Sequence, residues 1–405
     1  MSRARLAFAV SASVLLLSAE LRAQSDEFGK WISLFNGKDT TGWIHAKSAD
    51  PIAWKVEDGA LTNGKDGAQD ACTVDEFGDY ELELDYKVPP KGNSGVYLRG
   101  QVEVQVFDSH GKTKGEPTDA GAIYGGHVPL RMASKPAGEW NQYRILHIGH
   151  HITVWHNGVL IQDNTFVDKA TGGAMQKHPK TDKAMDIRRG PLMLQGDHGK
   201  VWFRNIRIRP LFTEGWKPLW NGKDLSGFTA RGSRSAKDGL RWEVDAKEHA
   251  LTNLGKGGER HDLWTADSYG NFLVHYAYKS DPKIEGGNSG FYLRDQWEIQ
   301  ILGHTDLKDK HSDGCIYSIY TPLVNARHAP EEWNHMDIKV EGMKIWVWQN
   351  GKLLHDGKVP ETRTDNHGTP TKMFSKAPFK LQGDHGKVWF ADLWIKPLPD
   401  AVASK

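Results

Sequence analysis

The 405-residue sequence has only two cysteines, Cys72 and Cys315, too few for a disulfide framework, and both read as small buried apolar side chains. It has no surplus of charge. With 52 basic against 51 acidic side chains, there is no general electrostatic reason to bind nucleic acid or an anionic membrane, and a neutral ligand fits better. After Leu17 no apolar run approaches the ~18 residues of a membrane span. No stretch of about ten residues carries a helical stripe. HExxH, GxSxG, P-loop and paired-cysteine zinc patterns are missing as well, which removes the usual support for zinc proteases, serine hydrolases and nucleotide binding.

What is present begins with an export signal. Arg3 and Arg5 precede an apolar run from Leu6 to Leu17, and Leu21-Arg22-Ala23 ends in a small residue suited to cleavage. Residues 1–23 therefore read as a secretory signal peptide, with a mature chain from near Gln24 in a periplasm or outside the cell. The 43 glycines and 16 tryptophans supply tight turns and flat apolar faces, the latter for a core or for sugar rings.

The strongest signal is internal repetition. LFNGKD at Leu34 to Asp39 returns as LWNGKD at Leu219 to Asp224, and GNSGVYLR at Gly92 to Arg99 as GNSGFYLR at Gly287 to Arg294. AIY ending at Tyr124 matches CIY ending at Tyr317; EWN occurs at Glu139 and Glu332; VWHNG at Val154 matches VWQNG at Val347; LQGDHGKVWF occurs at Leu194 and again at Leu381. So long a period means whole domains, predicted at 30–212 and 216–399, with a short linker near Pro210 to Lys217. Each copy reads as strands: Tyr80 to Tyr86, Gln101 to Phe107 and His151 to Trp155 alternate polar with apolar, and Asn157-Gly158 and Asn350-Gly351 are hairpin turns. The fold class predicted is all-β, two tandem antiparallel jelly-roll sandwiches.

Alternation puts Val102, Val104 and Val106 on one face of their strand and Gln101, Glu103 and Gln105 on the other. The second copy repeats this with Trp297, Ile299 and Ile301 against Gln296, Glu298 and Gln300. One tight turn upstream, the same alternation sets Tyr97 and Arg99 apart from Val96 and Leu98. A hairpin gathering Tyr97, Arg99, Glu103 and Gln105 on a concave face would suit a sugar, although a wet sheet face looks the same in sequence. Gln195, Asp197 and His198 recur as Gln382, Asp384 and His385; an exposed hairpin would account for them, but a histidine beside a carboxylate is also the usual proton shuttle. Tyr124 and Tyr317 face either the cleft or the core. The tryptophans of EWN, VWHNG and VWQNG read as core, and Asp39 and Asp224 as turn residues. His147, His150 and His151 have no counterparts in the second copy, so a metal site there is not expected.

The ordered set LFNGKD, GW at Gly42-Trp43, GNSGVYLR, VEVQVFD, GAIY, EWN, VWHNG and LQGDHGKVWFRNIRIRPL resembles the 3-keto-disaccharide hydrolase domain, and the second copy resembles it equally, so that about Phe35 to Leu398 is covered. The resemblance implies a concanavalin-like jelly roll acting on carbohydrate, specifically glycosides oxidised at C3. A C3 ketone acidifies the C2 proton, so elimination followed by hydration can replace the two-carboxylate displacement of ordinary glycosidases. On that reading Glu103 and His198 are base and acid in either order, with Glu298 and His385 in the second copy. Asn93, Tyr97, Arg99, Gln105, Tyr124, Gln195 and Asp197 would bind the sugar, as would Asn288, Tyr292, Arg294, Gln300, Tyr317, Gln382 and Asp384. A divalent metal could polarise the ketone, but no spacing specifies one. The alternative is a non-catalytic tandem carbohydrate-binding protein gaining avidity from two faces. Ala391-Asp392 replaces Arg204-Asn205 and Trp297 replaces Val102, changes that could retune one copy.

Overall fold

The computed structural model describes residues 29–48, 50–64, 68–185, 187–229, 241–253, 261–303, 309–329, 331–364 and 376–399. The signal-peptide reading of residues 1–23 lies outside them. The chain divides into two compact units between Thr213 and Glu214. Among the described residues the only helical element is a single 3-10 turn, Glu285–Gly287.

Each unit is a sandwich of an eight-stranded and a five-stranded antiparallel sheet. In the first, the larger sheet runs Val159–Phe166, His151–His156, Asn141–Ile148, Tyr80–Lys87, Trp202–Pro210, Ala60–Thr62, Lys55–Glu57, with Ile32–Ser33 also paired to Trp202–Pro210. The smaller runs Trp43–His45, Ala71–Phe77, Gly190–Leu194, Asn93–Leu98, Val102–Phe107. The second unit repeats that smaller order with Phe228–Thr229, Leu263–Thr265, Lys380–Leu381, Ser289–Leu293 and Trp297–Ile301. The sequence repeat is thus a repeat of topology, and the two units are tandem jelly-roll sandwiches.

Period-two alternation builds the cores. Val96, Leu98, Val102, Val104 and Val106 point between the sheets, against Leu82, Leu84, Ile145 and Phe203 of the larger sheet, all buried. Phe291, Leu293, Trp297, Ile299 and Ile301 do the same in the second unit. Their odd-numbered or even-numbered neighbours must then face the other way, which is how a five-stranded sheet comes to present Glu103 or Glu298 on its outer side. Cys72 and Cys315 are free and buried.

Two expectations are corrected. Arg99 and Arg294 do not join the face that carries Glu103 and Glu298, because the connection from Leu98 to Val102 turns at Arg99 with φ 52°, followed by Gly100 at φ 66°. The second unit turns identically at Arg294 and Asp295, φ 51° and 53°. Left-handed backbone at both positions is the turn that right-handed strand twist prefers, and it swings the side chain out of the strand's alternation. The tryptophans Trp140 and Trp155 are also not core: they lie half-buried on the larger sheet's outer face beneath cations, Arg204 4.0 Å from the Trp140 ring centroid and Arg144 4.4 Å from that of Trp155. Trp333 and Trp348 of the second unit are buried.

Candidate active site

On the outer face of the first unit's five-stranded sheet one row crosses four strands, with Cys72, Met193, Tyr97 and Glu103 as successive Cα partners. The Tyr97 hydroxyl lies 2.8 Å from Glu103 Oε2 and 2.9 Å from the Gly172 carbonyl oxygen. A phenol has one hydrogen and these are two acceptors, so both contacts are satisfied together only when Glu103 is protonated and donates to Tyr97. The electrostatics agree: burial pushes the Glu103 carboxyl up to about 7, against the pull of the Tyr97 hydrogen bond and the His198 charge, while Asp197 and Asp70 push it further up. Burial, with Glu103 beside it, raises Tyr97 far above the ordinary phenol range, so it stays neutral. The second unit repeats the pair, Tyr292 donating to Glu298 Oε2 at 2.7 Å.

The repeated GNSG has a steric reason. The Glu103 carboxyl folds over Gly95, where a Cβ would lie 2.8 Å from Glu103 Cδ and closer still to Oε1; Gly290 stands in the same relation to Glu298. Only glycine leaves room for the carboxylate.

The rim of the site is the loop of LQGDHGK. Asp197 meets His198 Nδ1 at 2.5 Å and Asp384 meets His385 Nδ1 at 2.6 Å, and all four side chains are substantially exposed. Asp384, hydrogen-bonded to it, holds His385 protonated above the usual imidazole range. Asn63 braces this loop with its amide on the Gly196 and Gly199 carbonyls at 2.9 and 2.6 Å, and its oxygen accepts from Val201 N–H at 3.1 Å. Asn253 repeats all three bonds to Gly383, Gly386 and Val388. Asp70 and Asp262 accept the Gly196 and Gly383 N–H groups, and burial raises both carboxyls. Ser94 and Ser289 donate to the Gln195 and Gln382 carbonyls, each at 2.8 Å. Thr171 and Thr364 close the sheet edge by accepting Glu103 N–H at 2.9 Å and Glu298 N–H at 2.8 Å. None of these supporting residues was singled out from sequence, although ALTN, ending at Asn63 and at Asn253, is itself a repeated signal.

Gln195 and Gln382 return by alternation to the Met193 and Lys380 side, and Gln382 Oε1 is buried with no partner; Asn93 Oδ1 and Gln300 Oε1 are likewise unsatisfied. Tyr124 is 37% exposed and lies against Gly172 at the rim; Tyr317 is half-buried against His311. Asn288 ends the 3-10 turn that precedes its strand, and Gln105 donates its amide N–H to Thr118 O at 3.2 Å while its Oε1 accepts the Val106 N–H at 3.1 Å. Arg99 and Arg294 stand apart. Arg99 is sealed from solvent, donating to Asp79 at 2.8 Å and to the Gly78, Gly149 and Ile187 carbonyls at 2.8, 2.8 and 3.0 Å. Arg294 donates to Gly342 O at 2.5 Å and packs on Trp297. Both lock turns together and neither reaches the face that carries the glutamates. Asp39 caps a turn with Asn36, and Asp224 does so with Asn221. Among the described residues no three His, Cys, Asp or Glu side chains are grouped to hold a metal ion.

The jelly-roll sandwich with a buried carboxyl on its outer sheet face, rimmed by a histidine–carboxylate pair, is of the carbohydrate-active class by its family. The chain is a member of the family described as the 3-keto-alpha-glucoside-1,2-lyase-like domain, which it matches twice, over residues 30–209 and 215–396, and by that membership it is an enzyme of the glycoside-cleaving kind. It is 28% identical over 254 residues to a 3-keto-disaccharide hydrolase of Bacteroides thetaiotaomicron, an alignment spanning 50% of this chain and 87% of the relative. Among solved structures it is similar to a candidate glycosyl hydrolase of Parabacteroides distasonis, at 29% identity and TM-score 0.37, covering 45% of this chain and 84% of that one. A carbohydrate-binding module of Bacillus subtilis aligns at 13% identity and TM-score 0.29, covering 42% and 96%.

Proposed function

We propose that this chain cleaves glycosides whose sugar carries a ketone at C3, by proton abstraction from C2 and elimination, and that it does so after export. The observation that carries the reading is the buried Tyr97–Glu103 pair, with its carboxyl near neutrality, repeated as Tyr292–Glu298. Glu103 is the base. In its ionised form it takes the C2 proton, and the electron pair forms the enolate of the C3 ketone. Collapse of the enolate restores C3=O, forms C1=C2 and breaks the bond from C1 to the glycosidic oxygen. His198, backed by Asp197, protonates that oxygen, and water then adds across C1=C2. The neutral Tyr97 hydroxyl steadies Glu103 in both protonation states. Because Glu103 is 2% exposed, this reading requires substrate to displace the backbone around Gly172, whose carbonyl holds Tyr97.

The test is product release from 3-keto-glycosides beside their unoxidised parents, with and without chelator, by the full chain and its Glu103→Gln and Glu298→Gln variants. Cleavage confined to the oxidised substrates, with deuterium from D2O appearing at C2, supports the reading. Saturable sugar binding without turnover by folded protein would leave a binding module instead. A mature N-terminus near Gln24, read by mass spectrometry on protein recovered from outside the cytoplasm, tests export.

A further inference from the structure

The same row of the five-stranded sheet is built from different chemistry in the two domains. In the first it reads Ile44, Cys72, Met193, Tyr97, Glu103. In the second it reads Thr229, Trp264, Lys380, Tyr292, Glu298. Tyrosine and glutamate are kept, but a lysine stands where the first domain has a methionine. As Cα partners on antiparallel strands, Lys380, Tyr292 and Glu298 share one face.

Placing an ammonium in a largely buried row costs desolvation that methionine avoids, so its surroundings matter. The Lys380 side chain is 15% exposed; its Nζ lies 3.1 Å from Asp262 Oδ2 and 3.5 Å from the centroid of the Tyr292 ring. Asp262 also accepts the Gly383 N–H at 3.0 Å, which ties the lysine to the loop carrying Asp384 and His385. An ammonium has three N–H donors. One faces Asp262, one faces the aromatic ring, and the third has no acceptor among the described residues. The first domain's row offers the thioether of Met193 and the thiol of Cys72, which burial pushes up to about 12, so it has neither a cation nor an ionised sulfur at that point.

Resting on the function proposed above, we infer that Lys380 is a catalytic residue of the second domain alone, donating its free N–H to the C3 oxygen while that oxygen carries the enolate charge. The step balances without a further reagent. The C2–H bond breaks, the proton goes to the Glu298 carboxylate, and the electron pair moves into C2=C3 as the C3 oxygen becomes negative. When the bond from C1 to the glycosidic oxygen breaks, the pair returns and C3=O re-forms, with Lys380 keeping its three protons throughout. A fixed positive charge aimed at an oxygen that is neutral in the ground state lowers the barrier more than it tightens binding. The two domains are therefore unequal, and the second is the faster.

The test uses the full chain with one domain silenced. Glu103→Gln removes the first domain's base and Glu298→Gln the second's, and the rate left in Glu103→Gln should exceed the rate left in Glu298→Gln. In the Glu103→Gln background, Lys380→Met should lower kcat about 10- to 100-fold, as loss of one oxyanion donor does, with KM changed less than about threefold. Deuterium exchange at C2 of a 3-keto sugar lacking a leaving group reads enolate formation directly and should fall in parallel. Lys380→Gln keeps a donor for Asp262 without the charge. Equal falls in kcat and exchange with both variants support the inference, whereas Lys380→Gln within twofold of the parent means that Lys380 only braces Asp262 and overturns it. Unchanged exchange in folded Lys380→Met overturns it as well. A chain that cleaves no 3-keto-glycoside before any Lys380 substitution overturns the underlying function, a failure visible separately.

Discussion

Replacing Glu103 by glutamine should stabilise the first domain while ending its catalysis, and the stabilisation should depend on pH in a defined direction. The carboxyl titrates at about 7 in the folded state against an ordinary 4.5, chiefly through burial. At about 1.4 kcal/mol per pKa unit, ionising it in place costs about 3 kcal/mol. Below pH 4.5 both folded and unfolded chains hold the proton, so wild type and Glu103→Gln are nearly equal. Between 4.5 and 7 the unfolded chain releases its proton while the folded chain keeps it, so the stability of the wild type falls as pH rises and levels off above 7. Glutamine does not titrate, and its amide N–H can donate to the Tyr97 oxygen as the protonated carboxyl does. At pH 8 the variant's first domain should melt about 6 to 12 °C higher than the wild type's, the gap closing by pH 4.5. Calorimetry across that range, with hydrogen exchange of residues 93–107 to identify the domain, measures it. A gap of constant size from pH 4.5 to 8, or none, would refute the claim that an ionisable carboxyl is held there against its own solvation. In the Glu298→Gln background the same group should appear as a rising limb of kcat/KM near pH 7.

Gly95→Ala should push the Glu103 carboxyl away from Tyr97 and lower first-domain kcat at least about tenfold, since positional errors near 1 Å are that costly; the matched readout is a melting temperature that falls far less than activity. Asn63→Ala removes three bonds from the histidine loop and should destabilise the first domain by about 2–4 kcal/mol in a urea titration. Arg99→Met breaks a sealed ion pair with Asp79 and should cost about 3–5 kcal/mol, leaving KM of the folded enzyme unchanged; a raised KM at unchanged stability would mean that Arg99 meets the sugar after all.

Most of the fold was legible because period-two alternation is a direct image of a half-buried sheet, and because two copies of each motif show which residues travel together. Glu103 and Tyr97 followed from that rule applied to two neighbouring strands. Arg99 did not, since alternation holds only while backbone stays extended, and Arg-Gly and Arg-Asp carry no strong turn signature. The tryptophans misled for a different reason: a flat ring beneath guanidinium or ammonium on an outer face is as favourable as one in a core, so aromatic identity alone does not say which. Asn63, Asp70 and Thr171 act through backbone groups distant in sequence, and only the three-dimensional arrangement shows what they hold.

The supporting bonds also explain how two copies can keep one framework while their sites diverge. Ser94, Asn63, Asp70 and Thr171 have exact structural counterparts in Ser289, Asn253, Asp262 and Thr364, and each fixes backbone, not substrate. The loop bearing the histidine and the strand bearing the glutamate are therefore positioned independently of what lies in the row between them. A side chain such as Met193 or Lys380, whose strand register is set by Leu194 or Leu381 in the core, can change from thioether to ammonium without moving the acid or the base. Duplication of this sandwich thus permits two chemistries on one geometry, and the residue between tyrosine and the neighbouring strand is where they part.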